Sequence, residues 1–380
     1  MNIDKICEQL TIDEKIRLLG GVGDWHTYDC NGKIPSIMMT DGPHGIRKPE
    51  QEKVGDIETS KPATCFPTAS AIACSWNPAI VKKMGEAIAK EAKKEQISIV
   101  LGCGINIKRS PLCGRNFEYF SEDPYLTGKL ATGYIEGVQS LGIGTSLKHY
   151  AVNSQETRRM TSNSQIDERT LREIYLSAFE EVVKKAKPTS VMASYNRING
   201  EFGARNKYLL TDVLRKEWGF SGHVTSDCWA IRDFHEGHHV TGTAIESVAM
   251  AMNNGCDLNC GTLFGFLVQA VRQGLVKEER LDEAVTNLFM ARMKLGVFDK
   301  KEENPYDKIP YLAADSREMK KLNEAVARRT VVLLKNKEHI LPLDKNKIKT
   351  IGVIGPNADS RRALVGNYEG TASRYITVLE

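Results

Sequence analysis

The chain has 380 residues, a length that suits a barrel of about 250–300 residues with a further segment better than one average domain. Its net charge of +4 is spread over 52 basic and 48 acidic side chains without a long basic block, so nucleic acid is not a predicted partner. The N-terminus is polar, and no stretch approaches the roughly 20 apolar residues of a membrane helix, so neither a signal peptide nor a membrane partner is predicted.

Nine cysteines are scattered along the chain without a CxxC pair. Cys256 and Cys260 are close in sequence, and Cys228 directly follows Asp227. We interpret all nine as reduced thiols, mostly buried and unreactive, in a cytoplasmic protein. The sequence gives no prediction of the oligomeric state.

Short apolar runs alternate with helical patterns along most of the chain. The first helix is predicted at residues 11–20, where Thr11 and Glu14 form a capping pair and Gly20 ends the helix. Apolar runs at strand positions occur at residues 37–40, 69–74, 97–101, 145–147, 190–193, 222–226 and 255–258. Further helices are predicted near residues 78–96, 124–140, 168–185, 209–217, 244–252, 264–273, 281–295 and 316–335.

About seven such alternations predict an α/β fold, a TIM-like (β/α)8 barrel of parallel strands. No eighth strand is identified, so an incomplete or collapsed barrel is the alternative. We expect the barrel to span residues 1–298 and a linker and helix to span 299–347, with Pro305 and Pro310 in the linker. Residues 348–380 are expected to begin a truncated α/β sandwich domain with a strand within 349–356, a piece too short to bury a core of its own.

Charged and polar side chains follow several of the predicted strands. They are Asp41, Arg47, Arg115, Lys148, His149, Tyr195 and Asp227. Because the carboxyl ends of barrel strands meet at one face, we expect these side chains to share a cavity there. Each has a structural alternative: Asp227 as a helix cap, Lys148 and His149 as part of a strand-end ion pair, Arg115 as a partner of nearby glutamates. Burying them all without a ligand would be costly, which favours a binding site.

This set of side chains suits an uncharged, polyhydroxylated ligand such as a sugar. Carboxylates accept hydrogen bonds from hydroxyl groups, and Lys and Arg donate to them. No glycine-rich loop suitable for a phosphate precedes a helix. In a sugar-hydrolysing barrel, Asp227 would stay ionised because Lys148, Arg115 and Arg159 lower its pKa, by about 1–3 units for one nearby cation.

The motifs that carry these residues resemble glycoside hydrolase family 3, the family of β-glucosidases and β-xylosidases. The matching motifs are Asp41-Gly42-Pro43-x-Gly45-x-Arg47, Gly114-Arg115-Asn116-Phe117-Glu118-Tyr119-x-Ser121-Glu122-Asp123-Pro124, Lys148-His149-Tyr150, Glu156-Thr157-x-Arg159-Met160, Met192-x-Ser194-Tyr195-Asn196-x-x-Asn199-Gly200 and Ser226-Asp227. The resemblance extends from about residue 10 to the last residue. It implies a barrel followed by an α/β sandwich, and a retaining exo-β-glycosidase that releases terminal β-D-glucose.

The resemblance also implies a role for each site residue. Asp227 matches the nucleophile that forms the covalent glycosyl-enzyme, and Asp41 matches the carboxylate that binds the distal hydroxyls of the terminal sugar. The remaining matches are substrate-binding positions: Arg47, Arg115, Lys148, His149, Arg159, Met192, Tyr195 and Trp229. Neither a cofactor nor a metal is implied, and the expected partner is a small-molecule β-glycoside or oligosaccharide.

Two departures from the family pattern affect the expected activity. Glucosidases of the family usually have Trp directly after the nucleophile, whereas Cys228 intervenes here before Trp229. Ser226-Asp227-Cys228, residues 255–261 and residues 366–370 are closer to the family's β-xylosidases, which leaves glucose and xylose as alternatives. In two-domain members the acid/base glutamate lies in the second domain, beyond residue 380, so we expect this chain alone to be weak or inactive on poor leaving groups.

Three rival interpretations remain. The first is a metal site formed by His235, His238, His239, Cys256 and Cys260, although no helical spacing supports it. The second is a non-catalytic sugar-binding protein, in which Asp227 forms no covalent adduct. The third is a phosphorylase of the same family, which would require phosphate to accelerate turnover.

Overall fold

The computed structural model describes residues 3–30, 32–50, 60–300, 302–304, 308, 316–365, 368 and 370–380. The helices are α1 Ile3–Glu8, α2 Ile12–Leu18, α3 Ala69–Ala73, α4 Pro78–Lys94, α5 Pro124–Gln139, α6 Glu168–Thr170, α7 Ser177–Ala186, α8 Asp233–Glu236, α9 Ala244–Asn253, α10 Leu267–Arg272, α11 Glu278–Lys294 and α12 Arg317–Thr330. Leu171–Leu176 and Tyr208–Glu217 are π-helical, and short 3₁₀ turns occur at Gly203–Arg205, Leu263–Phe266, Lys337–His339 and Arg362–Leu364. Within these ranges, no helix has the length and apolar character needed to cross a membrane.

The strands are short and most lie in one sheet. They are β1 Gly21–Val22, β2 His26–Thr27, β3 Met39–Thr40, β4 Ile99–Val100, β5 Gly144–Tyr150, β6 Asn163–Ser164, β7 Ser190–Ala193, β8 Arg197–Ile198, β9 Glu201–Phe202 and β10 His223–Ser226. The main sheet has the order β10-β7-β5-β4-β3, and every pair in it is parallel. All residues of β5, β7 and β10 are buried, as expected for a parallel sheet covered by helices.

Local sequence signals define where several helices begin. Thr11 caps α2 in a capping box with Glu14, as predicted, and Thr243 forms the equivalent box at α9. Asn77 and Asp123 cap α4 and α5, each immediately before a proline that favours the first helical position. These caps fix the helices that cover the outer face of the sheet.

The outer helices pack closely because glycines remove side chains from their interface. Helix α4 packs on α5, and α5 packs on α7. A Cβ atom on Gly137 of α5 would lie 2.2 Å from the Lys82 carbonyl oxygen of α4. The two backbones are therefore too close for any larger residue at this position.

The hairpin β1–β2 and the segment near residue 258 close the gap in the barrel between the edge strands β10 and β3. Beyond β10, the amide of Asn259 donates to the Leu19 carbonyl at 2.9 Å, and Leu258 is bridged to Thr225. The antiparallel pair β1–β2 follows, and the Met39 amide donates to the Trp25 carbonyl at 2.8 Å. The predicted α/β barrel architecture is thus confirmed, in its incomplete form of five regular parallel strands among the described residues.

Two predicted strands are wrong, and a third, at residues 255–258, is reduced to an isolated bridge between Leu258 and Thr225. Ala69–Ala73 form helix α3 instead of a strand. A short apolar run is compatible with either structure, and the three alanines in this one favour a helix. Residues 351–354 form no strand, and the side chains of Ile351 and Ile354 are 70% and 95% exposed. A strand needs a neighbour for its backbone hydrogen bonds, and no described segment pairs with this one.

The segment after the barrel is only partly described. The predicted helix of residues 316–335 is present as α12, which ends at Thr330, and its Met319 and Val326 are buried. In the predicted linker, residues 301, 305–307 and 309–315 lie outside the described residues, including Pro305 and Pro310.

Candidate active site

A cavity of about 450 Å³ opens at the carboxyl ends of the parallel strands. Its described lining consists of Asp41, Leu101, Gly114, Arg115, Phe117, Lys148, His149, Glu156, Arg159, Met192, Tyr195, Asp227, Cys228 and Tyr368. Eight of the ten residues predicted for the site are among them. Their roles in binding and catalysis remain predictions, but the structure brings these eight together.

The strands and their following loops deliver the predicted residues. Asp41 directly follows β3, and Lys148 and His149 belong to β5. Tyr195 comes shortly after β7, and Asp227 comes directly after β10. Because neighbouring parallel strands end at the same face, residues far apart in sequence meet around one cavity. Arg115 and Arg159 reach it from the long loops after β4 and β5.

Asp227 presents one buried, unpaired oxygen in this cavity. Its Oδ1 accepts a hydrogen bond from the Cys228 amide at 2.8 Å. Its Oδ2 has no hydrogen-bond partner among the described residues and lies 3.7 Å from His149 Nε2. Burial raises the pKa of Asp227, although Arg115 and Lys148 act in the opposite direction. The predicted lowering of this pKa is therefore wrong, because burial outweighs the nearby cations.

Lys148 is the centre of a buried network of charges. Its Nζ lies 3.2 Å from Asp41 Oδ1 and 3.5 Å from Glu118 Oε2. Glu118 also binds Arg115 Nε in a short ion pair. Burial opposes the charged form of Lys148, but Tyr368, Glu118 and Asp41 outweigh it and raise the pKa of the ammonium group. Lys148 and Glu118 are therefore both charged, each compensated by its neighbours.

His149 is held in its neutral form. Burial, together with Arg115 and Lys148, keeps the pKa of His149 well below its ordinary value. Arg115 Nη2 lies 2.7 Å from Nε2 and donates to it, so the ring proton is on Nδ1, which lies 3.1 Å from the Tyr119 hydroxyl. Asn106 holds the backbone of His149 through two hydrogen bonds of 2.9 Å. A neutral His149 adds no positive charge beside Asp227.

Arg159 and Glu156 form a second ion pair in the cavity lining. Arg159 Nη1 binds Glu156 Oε2 at 2.9 Å, and its guanidinium lies 4.2 Å from the centre of the Tyr195 ring. Burial raises the pKa of Tyr195, so its hydroxyl stays protonated and can donate a hydrogen bond. Met192 supplies apolar surface beside it.

Two predicted site residues lie outside the described cavity lining. Arg47 is buried within the loop that follows β3, and its carbonyl accepts a hydrogen bond from Thr40 Oγ1. The Trp229 ring is covered by the Arg232 guanidinium, 4.6 Å from the ring centre, and its amide donates to the Cys260 carbonyl. Cys228 takes the position on the cavity wall next to Asp227.

Cys228 forms a disulfide bond with Cys260, with a Cα–Cα separation of 4.5 Å. The interpretation of all cysteines as reduced thiols is wrong for this pair. All nine cysteines lie in the described ranges, and the other seven are free, with Cys65 and Cys74 exposed. The segment around residue 258 lies beside β10, and this strand register brings the two sulfur atoms together.

The rival metal site does not form among the described residues. No group of three or more potential ligands is present there. The His238 ring stacks on Phe202 at 3.5 Å, His235 Nδ1 contacts Ser247 Oγ at 3.0 Å, and Cys260 is in the disulfide bond. His235, in helix α8, and His238, just after it, are therefore held by contacts with neighbouring side chains.

Sequence reasoning missed Glu118 and Tyr368 as members of the site. Glu118 lies within one of the family motifs, where its sequence position suggests only a partner for Arg115. Tyr368 lies in the segment 366–370, of which Gly366, Asn367 and Glu369 fall outside the described residues. No local pattern indicates that Tyr368 contacts Lys148 across 220 positions of sequence.

Comparisons with known proteins agree with this arrangement. The model of the glycosyl hydrolase family 3 N-terminal domain matches residues 27–291, and that of the family's C-terminal domain matches residues 331–380. Thermostable beta-glucosidase B of Acetivibrio thermocellus is 45% identical over 99% of this chain and 47% of that protein.

Two solved structures are also similar. Beta-glucosidase 3B from Thermotoga neapolitana in complex with glucose has a TM-score of 0.78 and 35% identity over 90% of this chain and 48% of that one. An exo-beta-xylosidase in complex with a xylobiose aziridine probe has a TM-score of 0.88 and 28% identity, covering 99% of this chain and 50% of that one. The chain thus spans about half the length of the relatives it matches. It belongs to glycosyl hydrolase family 3.

Proposed function

We propose that the protein is a retaining, exo-acting β-glycosidase that releases terminal β-D-glucose from β-glucosides and oligosaccharides. The observation that carries the proposal is the buried, unpaired Oδ2 of Asp227 in a cavity that offers hydroxyl-binding groups on its other walls. The similarity to thermostable beta-glucosidase B supports glucose as the released sugar.

Asp227 acts as the nucleophile in this proposal. Its Oδ2 attacks the anomeric carbon as the bond to the leaving oxygen breaks, which forms a covalent glycosyl-enzyme. Water then displaces Asp227, and two inversions at the same carbon give net retention. The Cys228 amide holds Oδ1, so the carboxylate is oriented with Oδ2 towards the sugar.

The charged network fixes the sugar rather than transferring protons. Asp41 and Glu156 accept hydrogen bonds from sugar hydroxyls, while Lys148, Arg115 and Arg159 donate to them. The exo-acting mode is part of the proposal and is supported by the similarity to an exo-beta-xylosidase structure.

We propose that the general acid lies outside these 380 residues. The other carboxylates of the cavity each pair with a cation: Asp41 with Lys148 at 3.2 Å, Glu156 with Arg159 at 2.9 Å, and Glu118 with Arg115. A carboxylate held in this way serves charge balance and hydroxyl binding rather than proton delivery. This chain alone should therefore act on activated aryl glycosides, whose leaving oxygen needs little protonation, and poorly on cellobiose or xylobiose.

The decisive experiment is covalent labelling with 2,4-dinitrophenyl 2-deoxy-2-fluoro-β-D-glucoside. This probe needs no general acid for its first step, and its fluorine slows release of the glycosyl-enzyme. Mass spectrometry of peptides should locate one glycosyl group on Asp227, and Asp227→Asn should abolish the adduct. Asp233→Asn, which removes a half-buried acid in the following helix, is the matched control and should still be labelled.

Three other results of these activity and labelling measurements would change the proposed function. Reversible binding of the probe without an adduct would identify a sugar-binding protein and overturn the catalytic proposal. Substantial cellobiose hydrolysis by the 380-residue chain would contradict the assignment of the acid to another segment. Turnover that requires inorganic phosphate would indicate a phosphorylase.

A β-xylosidase is the second candidate, favoured by the cavity wall next to the nucleophile. The Cys228–Cys260 disulfide stands where the family's glucosidases usually have a tryptophan directly after the nucleophile. Labelling by the matched 2-deoxy-2-fluoro-β-D-xyloside with a higher second-order rate constant than the glucoside would favour this candidate.

A cytoplasmic location remains a proposal. The disulfide bond argues against it, because such bonds are rare in reducing compartments. Fractionation of cells that produce the protein, with a count of its free thiols, would test the location and the disulfide together.

A further inference from the structure

Tyr368 reaches the cavity from the segment that follows the barrel and its linker. Its hydroxyl accepts hydrogen bonds from Lys148 Nζ at 2.8 Å and Arg115 Nη2 at 3.3 Å. The same hydroxyl donates to Glu118 Oε2 at 2.8 Å. One neutral hydroxyl therefore links the buried Lys148 and Glu118 with the half-buried Arg115, none of which is close to it in sequence.

The Tyr368 ring is packed as well as hydrogen-bonded. Lys148 Nζ lies 5.0 Å from the ring centre, within the range of a cation–π contact. The Phe117 ring approaches edge-on, with 5.4 Å between ring centres. These contacts fix the ring as well as its hydroxyl, so the geometry of Lys148 depends on a residue outside the barrel.

The chain next to Tyr368 is anchored to the barrel. The Ala63 amide donates to the Thr371 carbonyl at 2.9 Å, and the Thr371 amide donates to Ser60 Oγ at 3.0 Å. These bonds tie the segment to the loop that follows β3, whose first residue is Asp41. The placement of Tyr368 is thus supported by backbone contacts on the same side of the cavity.

Tyr368 forms a wall of the cavity and leaves it open. With the ring in place the cavity still has about 450 Å³. This lies within the range of roughly 300–1,000 Å³ found for small-molecule sites. The side chains of Asp41 and Asp227 keep 21% and 15% exposure, so each still contributes surface to the cavity.

We propose that Tyr368 is a positioning residue of the sugar site, acting through Lys148. It accepts one of the three ammonium hydrogens of Lys148 and Asp41 accepts another, which fixes the orientation of the ammonium group towards a sugar hydroxyl. The same phenol donates a hydrogen bond to Glu118 and so holds that carboxylate next to the Lys148 ammonium group. The inference rests on the proposed function in that it takes the ligand to be a sugar.

The test is equilibrium binding of 1-deoxynojirimycin, a glucose-shaped iminosugar, by calorimetry on the full 380-residue chain. Tyr368→Phe keeps the ring and removes only the hydroxyl. Hydrogen bonds to charged groups are worth about 1.5–3 kcal/mol, so Kd should rise about 10–100-fold. Tyr125→Phe is the matched control, because Tyr125 is 68% exposed on α5, and its Kd should stay within about twofold of wild type.

A double-mutant cycle separates positioning from a general loss of structure. Lys148→Met should itself weaken binding, and adding Tyr368→Phe should then change Kd by less than about threefold, because the phenol no longer has Lys148 to orient. Equal effects of Tyr368→Phe with and without Lys148 would overturn the proposal. An unchanged Kd for Tyr368→Phe, or no binding of the iminosugar to wild type, would also overturn it.

The outcomes distinguish this inference from the proposed function. Wild type that forms the covalent adduct while Tyr368→Phe binds normally would contradict only the role of Tyr368. Wild type that binds the iminosugar but forms no adduct would contradict only the catalytic proposal. Unfolding in urea, measured for each variant, shows whether the compared proteins are equally folded.

Discussion

Breaking the Cys228–Cys260 disulfide should destabilise the protein by a predictable amount. The bond joins residues separated by 32 positions. Closing a loop of this size removes about 12 cal/mol/K of entropy from the unfolded chain, which corresponds to about 4 kcal/mol at 25 °C. Cys260→Ala should lower the free energy of unfolding by this amount, and a phosphine reductant should have the same effect on wild type.

The assay is urea unfolding of the oxidised, reduced and variant proteins, followed by intrinsic fluorescence. Reductant should have little further effect on Cys260→Ala, since the bond is already absent. Cys74→Ala removes an exposed free thiol and should change the free energy of unfolding by less than about 0.5 kcal/mol. Thiol titration of the unfolded, unreduced protein should find seven free cysteines.

Two results would refute this reasoning. Nine free thiols in the unfolded, unreduced protein would mean that the bond is absent. Seven free thiols with a loss below about 1 kcal/mol on reduction would mean that strain in the folded state cancels the loop-closure effect. In the first case the cavity wall beside Asp227 would contain two separate thiols instead of a disulfide.

Two further predictions concern buried ionisable groups. Glu118→Gln should lower the free energy of unfolding in urea by about 3–5 kcal/mol, because Lys148 and Arg115 both lose a carboxylate partner. Glu156→Gln, at a side chain that is 27% exposed, should lower it by about 1 kcal/mol or less. Equal losses for the two variants would contradict the argument. Burial lowers the pKa of His223 to about 4, below the value of about 6.5 in an unfolded chain. The contribution of neutral His223 to the free energy of unfolding is therefore complete above about pH 6.5. It falls by up to about 3 kcal/mol as the pH drops to about 4. Urea unfolding at several pH values should show a smaller loss for His223→Leu than for wild type, and parallel losses would contradict this assignment.

The parts of the fold that were predicted correctly are those specified by local sequence. Thr11 and Glu14 form the predicted capping box, and the apolar run at residues 190–193 is strand β7. The face of the barrel that holds the cavity was also predictable, because Asp41, Lys148 and Asp227 each occur at the end of a strand. The strand order β10-β7-β5-β4-β3 follows the chain order, as the barrel prediction implies.

The errors arise where distant segments decide the outcome. The apolar run at residues 69–74 is short enough for either a helix or a strand, so its period alone did not identify helix α3. The Cys228–Cys260 bond depends on the register between β10 and the segment near residue 258, which no local signal encodes. The pKa of Asp227 depends on depth of burial, whereas sequence reasoning counted only the charges nearby.

The charge balance of the cavity explains why a neutral sugar fits it better than an anion. Among the described residues in and beside it, the cations are Arg115, Lys148 and Arg159, and the carboxylates are Asp41, Glu118, Glu156 and Asp227. Each cation already has a carboxylate partner, and His149 is neutral. An anionic ligand would therefore find no uncompensated positive charge. Among these carboxylates, Oδ2 of Asp227 is the buried oxygen without a hydrogen-bond partner. In the proposed function, it would stabilise the positive charge that develops on a sugar ring as its glycosidic bond breaks.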